Sequence, residues 1–300
     1  MIIFVEENDD NKRLDSFLSE INPNLSRSKI QNFIKNGNVL VNSSTKKPSY
    51  TLRENDKIEF ELPEDEEIKI LPQNIQLDII YQDENMLVVN KPSGMLTHPT
   101  TIERENTLVN ALLFKYGDNL SDINGEFRRG ILHRLDRNTS GLLMIAKNNK
   151  SHEFLAKQIK EHTITKKYRA IVKGVILQDE FEINSPIGRN PNQPHKMTTR
   201  KDGKPSKTIV KVIERFKDAT YVELTLITGR THQIRVHMKS INHPIYNDTL
   251  YGAGIGKVKT EEQVLQSYFL RFTKPFADEI IELQIEPDQK ITKVLKYLRS

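Results

Sequence analysis

Between two apolar runs, Ile131–Leu132 and Leu142–Ala146, the chain sets a turn-forming cluster: Asp136-Arg137-Asn138-Thr139-Ser140-Gly141. Asp, Asn, Ser and Thr hydrogen-bond to nearby backbone and divert it from regular structure, and glycine accepts positive φ. The pattern predicts two buried strands with a loop between them, Asp136 on the loop and Arg134 and Arg137 beside it. A loop on a rigid frame is where catalytic groups are commonly carried. Turn chemistry by itself asks nothing more of Asp136 than to close the bend.

The rest of the chain repeats short apolar segments of the same kind. Ile79–Tyr81 and Met86–Asn90 flank the polar turn QDEN and predict a hairpin. Tyr168, Ala170 and Val172 alternate along one strand face, and Tyr221–Ile227 alternates strongly. Further strands are expected near Phe269–Phe272 and Ile280–Ile285. Helices are expected over Leu108–Leu113, from Ser151 through Ile159, and from Pro287 through Leu298. Many strands with few helices and no regular βαβ alternation indicate an α+β fold with a mixed, mostly antiparallel sheet. No Gly-rich nucleotide loop appears, which argues against a Rossmann methyltransferase. Tyr251–Lys257 lacks the first glycine and the Ser/Thr of a phosphate loop.

The first 62 residues read as a small α+β domain of their own. Leu14, Phe17, Leu18 and Ile21 recur at helical spacing; Ser26 is a candidate N-cap for a second helix carrying Ile30, Phe33 and Ile34; VLVN follows as a strand. Residues 63–75, acidic and bounded by Pro63 and Pro72, read as a linker. Residues 76–300 form the large domain.

Charge sorts by region. Lys12–Arg53 holds eight Lys/Arg and two acids, whereas Glu54–Glu67 holds eight acids and one Lys. Arg128–Lys173 holds twelve basic residues and three acids. Separated basic blocks point to a polyanionic partner touching several surfaces, although any single block is equally a solvated face. Ser185–Thr208, basic and turn-rich, is either a hairpin reaching toward that partner or a disordered loop. The chain has no cysteine, which fits a reducing compartment, and neither a signal peptide nor a membrane span is evident, so a cytoplasmic location is expected. His232 and His237 lie five apart with no third ligand at metal spacing, so no metal site is expected.

Six stretches carry a resemblance, four to one family and two to a small RNA-binding module. HRLDRNTSGLLMIAK resembles the catalytic motif of the RluA-type pseudouridine synthases at His133–Asp136 and Thr139–Leu143. KPSGMLTHP (Lys91–Pro99), KKYRAIVKG (Lys166–Gly174) and TGRTHQIRVH (Thr228–His237) are similar to further motifs of that family. RLDSFL and SRSKIQNFIKNGNVLVN resemble the αL RNA-binding module first named for a small-subunit ribosomal protein, with Ser43 where glycine is usual. The resemblance implies that Asp136 is the catalytic carboxylate, that Arg230 is its guanidinium partner and that Tyr168 packs against the target base. It implies substrate contacts at His133, Arg134, Thr139 and Leu226, with Arg134 filling the gap left by a flipped nucleotide. RNA contacts are expected at Arg13, Arg27, Lys29 and Lys35, and the Lys91–Pro99 segment is expected to shape the site from beneath.

Isomerising uridine to pseudouridine is redox-neutral and needs no group donor, so no cofactor is expected. The expected partner is RNA, 23S rRNA or a pre-ribosomal particle, with no membrane and no obligate protein partner. Two alternatives stay open at this level: the same chemistry on tRNA, and a non-catalytic RNA-binding or ribosome-assembly protein in which Asp136 only makes its turn.

Overall fold

The computed structural model describes residues 1–22, 25, 27–61, 69–252, 254–260 and 262–300, and the chain divides into two compact units, Met1–Ile68 and Lys69–Ser300. In the smaller unit, strands β1 (Ile2–Phe4), β2 (Val39–Val41), β3 (Ser44–Thr45) and β4 (Lys57–Phe60) form an antiparallel sheet in the order β1-β4-β2-β3. Helices α1 (Leu14–Ile21) and α2 (Arg27–Lys35) share one apolar core with it, Leu14, Phe17, Ile30 and Ile34 joining Val39, Val41 and Ile58. The candidate N-cap Ser26 and residues 63–68 of the expected linker lie outside the described residues.

Residues 69–75 do not behave as a linker. Ile70 is buried in the larger unit's core beside Leu108 and Leu112, and the Leu71 carbonyl accepts a 2.8 Å bond from Asn110. An apolar side chain with somewhere to go, and a backbone with a partner, tie this stretch to the larger unit, which therefore begins before residue 76.

That unit is built on one nine-stranded sheet. Its strands are β5 (Ile79–Gln82), β6 (Met86–Lys91), β7 (Ser140–Ala146), β8 (Thr165–Lys173), β9 (Glu180–Asn184), β12 (Lys207–Arg215), β13 (Ala219–Leu226), β14 (Leu265–Thr273) and β15 (Ile280–Gln284). The order is β5-β6-β7-β14-β8-β13-β12-β9, with β15 also paired to β14. Every pairing is antiparallel except β7 with β14. A two-stranded hairpin, β10 (Ile187–Arg189) and β11 (Met197–Thr199), stands apart within the basic segment, so the hairpin reading of that segment is the one observed.

β7 is buried along its whole length, as expected for a strand covered on both faces. Leu143 and Ile145 enter the core that holds helix α3 (Leu108–Tyr116), while Leu142 and Met144 enter the one holding Leu155 of α4 (Asn149–Lys160) and Phe272. Gly141 sits where β7 meets β14. Its φ is 116°, and a Cβ there would collide with the Ser267 carbonyl, so only glycine permits this pairing.

Local chemistry explains several shifted boundaries. α4 starts at Asn149 rather than Ser151, because the Asn148 side chain accepts the Ser151 N–H as N-cap. α6 (Gln289–Arg299) is likewise capped by Asp288 rather than begun by Pro287. The strand expected at Ile131–Leu132 is reduced to a single bridge, Ile131 to Ile145. α5 (Gln233–Ser240) has no local signal in the sequence: its N-cap is His232 at φ 55°, which carries none of the usual start signals. No helix among the described residues is long and apolar enough to cross a membrane.

Candidate active site

The loop between His133 and Gly141 is fastened to the Lys91–Thr97 turn by a buried lysine and two hydroxyls. Lys91 is fully buried, and its Nζ donates to the carbonyls of Pro92 (2.8 Å), Met95 (2.8 Å) and Arg137 (3.0 Å). Burial pulls its pKa down to about 7, with Lys290 adding to the fall and Asp136 opposing it. Thr97 Oγ1 donates to the Leu135 carbonyl at 2.9 Å, and Ser93 Oγ donates to that of Asn138 at 3.0 Å. With the residues on both sides of Asp136 pinned, its side chain is aimed by backbone bonds rather than by chance.

Asp136 Oδ2 accepts a 3.1 Å bond from Nη1 of Arg235 on α5. Arg235 is itself buried and gripped by Asp248, which takes Nε at 2.7 Å and Nη2 at 2.9 Å in a two-pronged bond. Burial works against that charge, but the bonds and charge of Asp248, joined by those of Asp136, hold the guanidinium firmly protonated. Oδ1 of Asp136 accepts no side-chain bond from the described residues, and the side chain keeps 20% of its surface exposed. One oxygen is braced and the other is open.

The expected pairing of Asp136 with Arg230 is thereby corrected. Arg230 is exposed on the loop ahead of α5, and its Nε donates to the Pro205 carbonyl at 3.1 Å. It shares the cavity with Asp136, but the guanidinium on the carboxylate belongs to Arg235, five residues later. A helical turn of α5 swings Arg235 inward, together with Ile234 and Met238, which are buried in the core.

Asp136, Tyr168, His133, Arg134, Thr139, Leu226 and Arg230 all line one cavity of about 480 Å³. Tyr168 lies on β8 between Leu224 of β13 and Ser267 of β14, buried to its ring. Burial pushes its phenol up to about 12, with Ser267 opposing and Asp136 reinforcing, so it holds its proton at neutral pH. His133 Nε2 accepts the Met144 N–H at 3.1 Å, and burial takes the ring down to about 3; it is a neutral acceptor bracing the loop against β7. Arg134 is exposed at the rim. His237 is turned away, with Thr208 Oγ1 on Nδ1 and the Ser185 carbonyl on Nε2, both at 2.9 Å, so it shares no site with His232.

In the smaller unit Arg13 and Arg27 both bond to Asp15, at 3.0 and 3.3 Å, and stay about half exposed. Lys29 and Lys35 are exposed on α2. Lys35 lines a shallow depression with Arg13, Lys46 and Lys47; the last two were not singled out in the sequence because they lie outside any periodic element. His232 and Arg235 lie within the Thr228–His237 motif, and Asp248 lies beyond it, yet the sequence assigns none of the three a role beside Asp136. Arg235 and Asp248 are thirteen residues apart with no helix evident between them, and only the fold makes them a pair.

Residues 85–240 match the model of the family described as RNA pseudouridylate synthase, and residues 12–58 match that of the S4 domain. An uncharacterized RNA pseudouridine synthase of Bacillus subtilis is 41% identical over 298 residues, covering 99% of this chain and 98% of that one. Ribosomal large subunit pseudouridine synthase D of Neisseria meningitidis serogroup B is 38% identical across 96% of this chain and 79% of its own length. Among solved structures, human RNA pseudouridylate synthase domain containing 1 aligns at a TM-score of 0.56 and 26% identity, over 75% of this chain and 95% of that one. Matched over more than half its length by one family model, and alike to these relatives almost from end to end, this chain belongs to the RNA pseudouridylate synthase family and is an isomerase.

Proposed function

We propose that the chain converts specific uridines of 23S rRNA to pseudouridine in the cytoplasm, without a cofactor and with Asp136 as the catalytic carboxylate. The observation that carries this reading is the asymmetry of Asp136, one oxygen held by an anchored arginine and the other open to a cavity. The N1–C1′ bond breaks, the uracil turns and C5 bonds to C1′; C5 then loses its proton and N1 gains one. An ionised carboxylate beside the sugar–base bond is what the first step demands, and Arg235 sets a fixed positive charge against one of its oxygens.

Tyr168 packs against the loosened base, and Leu226, Thr139 and His133 form the surround in which it turns. Arg134, exposed at the rim, fills the gap left in the stack, offsetting part of the few kcal/mol that flipping costs. Lys35, with Arg13, Arg27 and Lys29, holds RNA by its phosphates. The choice of 23S rRNA rests on relatives named for the large ribosomal subunit, and tRNA is the alternative that the same chemistry allows.

Tritium release from RNA labelled at C5 of uridine tests the carboxylate. Asp136→Asn is expected to bind RNA normally and release none; full release in the variant sinks the assignment. Mapping pseudouridines in a deletion strain tests the substrate, and loss confined to tRNA overturns the rRNA reading.

A further inference from the structure

His232 is placed oddly for a residue with no assigned work. It sits at φ 55° and ψ 21° directly ahead of α5, a left-handed conformation that few residues other than glycine adopt, histidine among the more frequent of them. It makes no capping bond to the helix it precedes. Its ring instead lies between the catalytic loop and Tyr251: Nε2 is 3.8 Å from Asp136 Oδ2, and Nδ1 is 2.8 Å from the Tyr251 hydroxyl. Two rings meeting edge-on at 81°, with centroids 5.6 Å apart, leave the imidazole little room to turn.

Tyr251 decides which nitrogen carries the proton. Its oxygen already accepts the backbone N–H of Met197 on the hairpin at 3.0 Å. Among the described residues, the acceptor within reach of its own O–H is His232 Nδ1. The hydroxyl therefore donates to Nδ1, and the ring proton of a neutral His232 sits on Nε2, facing the carboxylate. The opposite tautomer would set a lone pair against Asp136. Neutrality is the ordinary state here: burial draws the imidazole below its usual range, with Asp136 and Asp248 opposing and Arg235 and Arg134 reinforcing the fall.

We propose that His232 is a positioning residue for the isomerisation, its Nε2–H, fixed by Tyr251, steadying Asp136 Oδ2 alongside Arg235 so that Oδ1 faces the uridine. The proposal rests on Asp136 being the catalytic carboxylate. At 3.8 Å the contact is electrostatic rather than a hydrogen bond. Arg235 supplies charge and His232 supplies direction, each from its own side of the same oxygen. The guanidinium of Arg235 also lies 5.1 Å from the centre of the Tyr251 ring, so Tyr251 braces both donors.

The test compares His232→Gln, whose amide N–H reaches roughly where Nε2 lies, with His232→Leu, which offers no donor, and with Tyr251→Phe, which releases the tautomer. The readouts are single-turnover tritium release and RNA affinity. The Gln variant is expected to stay within a few-fold of the unaltered protein, and the Leu variant to lose about tenfold or more in rate at unchanged affinity. Tyr251→Phe is expected to fall between them. An unchanged rate in the Leu variant overturns the proposal, and so do equal losses in Gln and Leu, which would assign the ring to packing alone. Asp136→Asn in parallel separates the two claims. Release by that variant removes the carboxylate assignment itself, whereas its silence beside a fully active His232→Leu removes only the role of His232.

Discussion

Asp15 and Asp136, one in each unit, both meet arginine, yet the two carboxylates are satisfied to different degrees. Asp15 is fully buried, and both of its oxygens are taken. Oδ1 accepts from Arg13 at 3.0 Å and Arg27 at 3.3 Å, and Oδ2 from Arg13 at 3.0 Å and Gln31 at 2.6 Å. An ionised carboxylate offers about four lone-pair sites; Asp15 fills them and binds α1 to α2. Among the described residues Asp136 accepts one side-chain bond and leaves the remainder facing a cavity. The lesson lies in where the arginines are anchored. Arg13 and Arg27 converge on Asp15, so the acid is cement. Arg235 is anchored on a second acid, Asp248, and spares Asp136 a single nitrogen, which braces the carboxylate without closing it.

Exchanging each acid for its amide breaks the comparison most sharply. Turnover is expected to vanish in Asp136→Asn and to be unchanged in Asp15→Asn when measured as single-turnover tritium release; a rate defect in the latter would mean Asp15 is more than cement. Next in size, Arg235→Lys is expected to slow release about 100-fold, because lysine lacks the fork that holds Asp248 and Asp136 together. Arg230→Lys should leave that rate nearly intact, and the reverse ranking would restore Arg230 as the partner.

A smaller effect is expected in stability. Arg13 holds the Asp15 carboxyl well below the usual range against the opposing pull of burial, with Gln31 and Arg27 assisting. A folded pKa below the unfolded value of about 3.9 stabilises the protein fully above that pH and is lost as pH falls below it. Asp15→Asn should therefore cost about 1 kcal/mol at neutral pH, kept modest by the half-exposed guanidiniums. In denaturant titrations the gap should narrow as the pH drops below about 3.9; a constant gap would refute the ionic account. Smallest of all, replacing Lys35, Lys46 and Lys47 with alanine should weaken RNA binding modestly and flatten its salt dependence, with no change in the rate of bound RNA. An unaltered salt slope would remove that depression from the RNA surface.

Much of this was legible in one dimension. The turn cluster announced the loop that carries Asp136, and the alternation of Tyr168, Ala170 and Val172 announced β8. The spacing of Leu14, Phe17 and Leu18 announced α1. Each is a local signal, written in neighbours two to four residues apart. The starts of α4 and α6 shifted because Asn148, three residues before Ser151, and Asp288, one residue after Pro287, supply the capping side chains.

The amino-acid sequence by itself determined the kinds of element and the two-unit organisation, because periodicity and turn preference act between near neighbours; Asp136 stood out as the candidate acid only through the resemblance of its motif. Tertiary structure alone decided which arginine reaches that acid. Arg230 and Arg235 look equivalent in a string of letters. A helix that opens at a left-handed histidine, without a capping signal, rotates one of them into the core and leaves the other at the rim.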